Sequence, residues 1–305
     1  MPRAGNRTSA RRLGIHISTG AGLVKGAEHA RAIGSNTMQI MSGNPSAWNP
    51  GRLDRGQADS FVSYLDENDL RPVFLHAGYL INLSCRRGRN APLFNKSVTL
   101  LAANIERARA LTCEYVVVHT GSRRGTGEDE ALATLVEGLE KVWRRADRRR
   151  GPSSGRRRRE PMLLLENSAG SGDSTGATFE DLAAMLSAAR RERIGLPLGV
   201  CLDTAHMWGA GYDLSTPAKV RRVIDEFDEL VGIDRLHCVH FNDSAVELGS
   251  RRDRHEHIGN GLMPLEGLRT FARSRKLRRV PLIMETPGKA QPSDEERMRD
   301  LLALA

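Results

Sequence analysis

Tyr115-Val-Val-Val-His-Thr-Gly121 and Met162-Leu-Leu-Leu-Glu-Asn-Ser168 are built alike: an unbroken apolar run ends on a side chain able to hold a metal or a proton. A strand with one face in water alternates apolar and polar residues. A continuous Val/Leu run is the mark of a strand buried on both faces. The same pattern recurs on either side of these two, at Gly14–Ser18, Thr37–Ser42, Val73–Ala77, Leu198–His206, Leu236–Asp243 and Pro281–Gly288, which makes eight runs. Stretches with helical spacing separate them. Val98–Leu111 sets Leu101, Ile105 and Ala108 on one face, and Thr178–Ala189 carries Leu182, Met185 and Leu186 behind Thr178 as N-cap. Strand–helix alternation repeated eight times predicts an α/β protein, a single-domain (β/α)8 TIM barrel. An open doubly wound sheet is the alternative, and the chain has neither the Gly-x-Gly-x-x-Gly turn nor the P-loop that would accompany one.

Size and composition agree with one barrel. The chain has 305 residues, and such a barrel needs ~250. Its 39% hydrophobic content fills one core, and no apolar stretch approaches the ~18 residues of a membrane span. The domain is expected to cover 13–305, behind a basic flexible tail at 1–12 that lacks the apolar stretch of a secretory signal. Cys85, Cys113, Cys201 and Cys238 show no Cys-x-x-Cys spacing and read as buried free thiols, suiting a reducing cytoplasm. The formal net charge of +9 favours polyanionic partners. Much of that excess sits in an Arg-rich loop insertion at 144–160. This loop enters the fifth strand from the barrel face opposite an active site, so it is expected to be solvated and dispensable for chemistry.

The runs end on His16, Gln39, His76, His119, Glu166, Asp203 with His206, His240 and Glu285. Barrel enzymes build their sites at the C-terminal ends of strands. A single histidine there is ordinarily structural. Many converging imidazoles and carboxylates without Lys or Arg are costly unless metal or protons compensate. Asp203-Thr-Ala-His206 can aim two side chains into one site across a turn, and Asp253-Arg-His255 puts two on one side of an extended segment. Imidazole plus carboxylate without thiolate suits zinc, with manganese or iron compatible. The nine candidate ligands are His76, His119, Glu166, Asp203, His206, His240, Asp253, His255 and Glu285. They exceed what one ion takes and point to two or three clustered ions, an arrangement suited to phosphoryl chemistry.

Leu75-His-Ala-Gly-Tyr-Leu-Ile-Asn82, Val118-His-Thr-Gly-Ser122, Leu165-Glu-Asn-Ser-Ala-Gly170, Cys201-Leu-Asp-Thr-Ala-His206 and Ala210-Gly-Tyr-Asp-Leu214 resemble the endonuclease IV family of apurinic/apyrimidinic endonucleases. So do His240-Phe-Asn-Asp243, Gly249-Ser-Arg-Arg-Asp-Arg-His255, Ile258-Gly-Asn-Gly261 and Leu282-Ile-Met-Glu-Thr286, and the likeness runs in order from about Gly14 to the C-terminus. All nine ligand positions carry the family's residue types. The resemblance implies three zinc ions: one on His76, His119 and Glu166, a second on Glu166, Asp203, His240 and Glu285, and a third on His206, Asp253 and His255. Glu166 and Glu285 would be the carboxylates at the reaction centre. It further implies hydrolysis of the phosphodiester 5′ to an abasic site in double-stranded DNA, giving a 3′-hydroxyl and a 5′-deoxyribose phosphate, with 3′-repair phosphodiesterase activity besides. A monomer without an obligate protein partner is expected.

The same resemblance implies that Tyr79 and Leu80 enter the duplex at the lesion, where apolar wedges offset unstacking. The chain departs from the family at Ser46, where a stack-filling Arg is frequent, leaving Trp48 or Arg52 as replacements, and at Thr120, where Pro is common. A sugar isomerase or epimerase on the same kind of barrel is the alternative. Such enzymes share the pattern at Glu166, Asp203, His206 and Glu285 but do not need His76, His119 and the Asp-Arg-His loop together.

Overall fold

The computed structural model describes residues 11–86, 88–148, 160–285 and 293–305. The strands are β1 (Leu13–Ile15), β2 (Met38–Met41), β3 (Val73–His76), β4 (Tyr115–His119), β5 (Met162–Glu166), β6 (Leu198–Asp203), β7 (Leu236–His240), a short pair β8 (Asp243–Ser244) and β9 (His255–Glu256), and β10 (Leu282–Met284). The helices are α1 (Leu23–Ala32), α2 (Arg55–Glu67), α3 (Ala91–Ala110), α4 (Glu128–Arg148), α5 (Phe179–Arg191), α6 (Thr204–Ala210), α7 (Pro217–Leu230), α8 (Leu265–Ala272) and α9 (Asp294–Leu304).

Eight strands pair in parallel in the order β1-β10-β7-β6-β5-β4-β3-β2, and the bridge between His16 and Gln39 draws the two edges together into the expected TIM barrel. At that seam Ile17 N–H donates to Gln39 O at 2.8 Å. Gly14 is required there, because a Cβ would stand 2.1 Å from Thr37 O. The helices start where local chemistry says they should. Asp54 caps α2, Thr178 and Asp181 form a capping box on α5, and Thr216 precedes the N-terminal Pro217 of α7.

Several boundaries differ from the sequence reading. α3 begins at Ala91, seven residues before the expected Val98, because Phe94 and Ser97 already face the core. The run read through His206 ends at Asp203, whose carboxylate accepts from His206 N at 2.8 Å and starts α6. The first part of the expected loop at 144–160 is helix: α4 continues to Arg148, with Ala146 buried and its carbonyl accepting from Arg109 at 2.7 Å. Residues 149–159 lie outside the described residues. Of the expected flexible tail, Arg11 and Arg12 are fixed. Arg11 donates to the carbonyls of Ala272, Leu277 and Val280, and Arg12 pairs with Asp69 at 3.0 Å; residues 1–10 lie outside the described residues. All four cysteines are free and buried. Among the described residues no helix is long and apolar enough to cross a membrane.

Candidate metal centre

The site follows from the two-residue period of a strand. Phe74, Val117, Leu164, Cys201, Cys238 and Ile283, one from each of β3 to β7 and β10, form an apolar layer inside the barrel. Two residues further along each strand, the next inward positions are His76, His119, Glu166, Asp203, His240 and Glu285. Six of the nine predicted ligands therefore form one ring, a pleat above a greasy floor. The other three come from the loops above: His206 from α6, Asp253 from the segment before β9, and His255 from β9 itself.

Glu166 is the hub. Its Oε1 lies 2.9 Å from His240 Nδ1, and its Oε2 lies 3.2 Å from His76 Nε2 and 3.4 Å from His119 Nε2. Glu285 Oε2 reaches the same His240 nitrogen at 3.0 Å. The donor atoms of His76, Glu166, His240 and Glu285 all lie within 4.8 Å of one another, as do those of Asp203, His206 and His255. Asp253 joins the second set, 3.1 Å from His206 Nε2 and 3.3 Å from His255 Nε2. The structure thus brings all nine residues together. Asp203 leans toward His255, at 3.4 Å, rather than toward Glu166.

Backbone carbonyls choose the tautomers. His76 Nδ1 donates to Ala77 O at 2.8 Å, His206 Nδ1 to Asn167 O at 2.9 Å, and His255 Nδ1 to Glu285 O at 3.1 Å. In each case Nε2 is left facing the cluster, as metal-binding imidazoles require. His255 Nε2 is buried with no hydrogen-bond partner, an orphan donor atom that a cation would satisfy. Among the described residues no Lys or Arg pairs with Glu166, Asp203, Asp253 or Glu285; each of their ion-pair partners is a histidine.

The electrostatics of the protein without ions reflect this crowding. Burial resists charge on His206, but Asp203 and the hydrogen bond to Asp253 raise its pKa to about 10. Burial likewise resists charge on His76 and His240, and their carboxylate neighbours Glu166 and Glu285 raise both above the ordinary histidine value. Against the cost of burial, the imidazoles hold Glu166 and Glu285 well below the usual carboxylate range and take Asp253 down to about 2.

The cluster lies in an open cleft of about 1190 Å³ whose walls include His16, Asn44, Pro45, Tyr79 and Asp294. Tyr79 stands at the mouth with 62% of its surface exposed, its ring 5.9 Å from that of His76, and Leu80 beside it is half-buried. Tyr79 N–H donates to Pro45 O at 3.1 Å, tying this loop to the one that carries the exposed Ser46. Trp48 packs against the core with Lys96 over its ring at 5.6 Å, so of the two expected replacements for the missing Arg only Arg52 stays exposed. Thr120, the milder departure, is buried and donates to Thr175 O at 2.5 Å.

Three amides stand behind the candidate ligands, and the sequence assigns them no role. Asn167 Oδ1 accepts from Asp203 N at 2.6 Å. Asn242 donates to Asp203 Oδ2 at 2.6 Å and accepts from Glu285 N at 2.8 Å. Gln39 touches His240 and Glu285. The available signal was position: Asn167 directly follows Glu166, Asn242 follows His240 by two residues, and Gln39 lies within the apolar run of β2.

A family model described as a xylose isomerase-like TIM barrel matches residues 27–304. A probable endonuclease 4 of Oleidesulfovibrio alaskensis is 39% identical over 302 residues, covering 98% of this chain and 97% of its own. A second, from Haloarcula marismortui, is 36% identical over 293 residues, covering 95% and 98%. The crystal structure of endonuclease IV from Thermus thermophilus superposes with a TM-score of 0.80 at 35% identity, over 96% of this chain and 98% of that one. With near-complete coverage in both directions, the chain belongs to the endonuclease IV family, within the xylose isomerase-like TIM barrels.

Proposed function

We propose that the protein is a DNA repair endonuclease that hydrolyses the phosphodiester bond 5′ to abasic sites in double-stranded DNA. It leaves a 3′-hydroxyl and a 5′-deoxyribose phosphate, and it works with three zinc ions held at the barrel rim. The observation that carries this reading is the ring of six inward ligands, completed by His206, Asp253 and His255, with no basic side chain to balance its carboxylates among the described residues. So many buried donors fit a multi-ion centre and would be costly without one. The first ion would take His76, His119 and Glu166. The second would take Glu166, Asp203, His240 and Glu285, and the third His206, Asp253 and His255. Manganese or iron suits the same donors at some positions.

Ions held there supply positive charge for the negative charge that develops on phosphate oxygens, and they lower the pKa of water in the site. The chain supplies the rest. Glu166, shared by two of the proposed ligand sets, holds those sets at one spacing. Asp203 is held before any substrate arrives, its N–H donating to Asn167 Oδ1 and its Oδ2 accepting from Asn242. Exposed Tyr79 and its neighbour Leu80 would enter the duplex and fill the gap left by the missing base. A 3′-blocked end presents the same bond to the same donors, so 3′-repair phosphodiesterase activity belongs to this proposal. We place the enzyme in the cytoplasm as a monomer, consistent with four free thiols.

The test is substrate choice. Purified protein is incubated with a duplex carrying one abasic site, with the undamaged duplex, and with free ketoses and aldoses. Incision confined to the abasic duplex is expected. Sugar isomerisation or epimerisation without incision would replace this proposal with carbohydrate chemistry.

A further inference from the structure

Gln39, the second residue of β2, is completely buried beside the seam where the barrel closes. Its Oε1 lies 2.9 Å from His240 Nε2, and its amide nitrogen donates to Glu285 Oε1 and lies 3.2 Å from His16 Nδ1. The carboxylate fixes which way the amide points: turned over, the amide oxygen would face Glu285 oxygen to oxygen. An amide oxygen only accepts, so His240 Nε2 carries a hydrogen. The nitrogen left for the cluster is Nδ1, facing Glu166 Oε1 at 2.9 Å and Glu285 Oε2 at 3.0 Å. His76, His206 and His255 are arranged the opposite way, each with Nδ1 on a backbone carbonyl and Nε2 toward the cluster. His240 therefore differs from these three in the nitrogen it presents, and its outer partner is a side chain that substitution can remove.

We infer that Gln39 is a positioning residue of the metal centre, its one amide setting which nitrogen His240 offers to an ion and aiming the carboxylate of Glu285. This rests on the reading of the cluster as a divalent-ion centre. Outer partners of ligating imidazoles fix the tautomer and ring orientation and raise ligand basicity, and their loss typically weakens metal binding 10–100-fold. Gln39 would do this for two ligands at once, from a strand that contributes no ligand of its own.

Two variants and one spectrum test it. Gln39→Met keeps the side-chain length and removes both hydrogen bonds; Gln39→Glu keeps an acceptor for His240 but sets a second carboxylate against Glu285. Metal-stripped proteins are titrated with zinc against a chromophoric chelator, and thermal unfolding is recorded with and without zinc. The expected result is zinc affinity lower by about tenfold or more in both variants, with the zinc-induced rise in Tm reduced. A merely structural amide would lower the Tm of stripped and loaded protein equally and leave affinity within tenfold of the parent, which would overturn the inference. NMR of the parent labelled with 15N-histidine needs no substitution: zinc-loaded His240 should show Nε2–H and a ligated Nδ1, and the reverse tautomer would also overturn it. A parent chain that takes up no zinc in the same titration would sink the reading of the site as a metal centre, and this inference with it.

Discussion

Glu166 Oε1 and His240 Nδ1 meet at 2.9 Å across the width of strand β6, and neither side chain is exposed to solvent. A buried carboxylate this close to a raised-pKa imidazole is stable only while a proton or a cation stays between the partners. Glu166→Gln keeps the volume and withdraws the charge. The expected outcome is loss of bound metal and a fall in incision on the order of 100-fold or more, with an unchanged circular-dichroism spectrum. Incision within about tenfold of the parent would remove Glu166 from its bridging role.

Metal uptake should release protons. Without bound ions the pKa of His206 is raised to about 10 and that of His240 well above the ordinary histidine value, so ions that bind these imidazoles must displace protons near neutral pH. Calorimetry of zinc binding in buffers of different ionisation enthalpy should report net proton release near pH 7; release of none would contradict the charge assigned to His206 and His240. The sign for stability follows. A histidine with a raised folded-state pKa stabilises the fold fully below its ordinary value of 6.5, and that contribution is lost as pH rises through the folded value, about 10 for His206. Metal-stripped protein should therefore lose Tm between about pH 6.5 and 10, whereas zinc-loaded protein should hold or gain stability as competing protons leave.

Most of the barrel and the convergence of the nine candidate residues were legible in the sequence, for one reason. Strands buried on both faces write themselves as apolar runs, and the inward polar side chain falls two residues after the last inward apolar one, as Val117 is followed by His119 and Leu164 by Glu166. The less legible features depend on three-dimensional partners. His206 looks like the end of a strand until Asp203 turns the chain by capping α6. Arg144 and Arg145 look like loop until a buried Ala146 and the bond from Arg109 hold them in α4. Asn167, Asn242 and the full part played by Gln39 could not be read, because an amide's role is set by which strands it bridges.

The mouth of the cleft offers a test of lesion recognition. Tyr79→Ala combined with Leu80→Ala should weaken binding to an abasic duplex by about tenfold or more, roughly 1.4 kcal/mol of wedge contact, while hardly changing binding to intact duplex. Equal weakening on both would show that these side chains do not sense the gap. Ser46 lies exposed on the loop that Pro45 ties to Tyr79, so Ser46→Arg should tighten binding to the abasic duplex selectively. No gain there would mean that the family's frequent Arg is not missed in this chain.

The Arg-rich segment should be dispensable for cutting. The described residues that flank it are Arg148, the last of α4, and Glu160, just before β5, at the end of that strand opposite Glu166. A barrel's height exceeds the Debye length of ~8 Å at physiological salt, so charge there is screened from DNA at the rim. Replacing 149–159 with a Gly/Ser linker should leave abasic-site incision within about tenfold while reducing salt-sensitive nonspecific binding. A larger loss with fold and metal intact would put this segment at the DNA.

Whether a multi-ion zinc centre at the barrel rim cuts abasic DNA is decided by titrating metal-stripped protein with zinc. Bound zinc and incision of a singly abasic duplex are measured on the same samples. No incision is expected without metal, about three zinc ions per chain are expected at saturation, and full incision should come only as the last of these binds. Full incision by the stripped protein, or after a single equivalent of zinc, would refute the multi-ion centre.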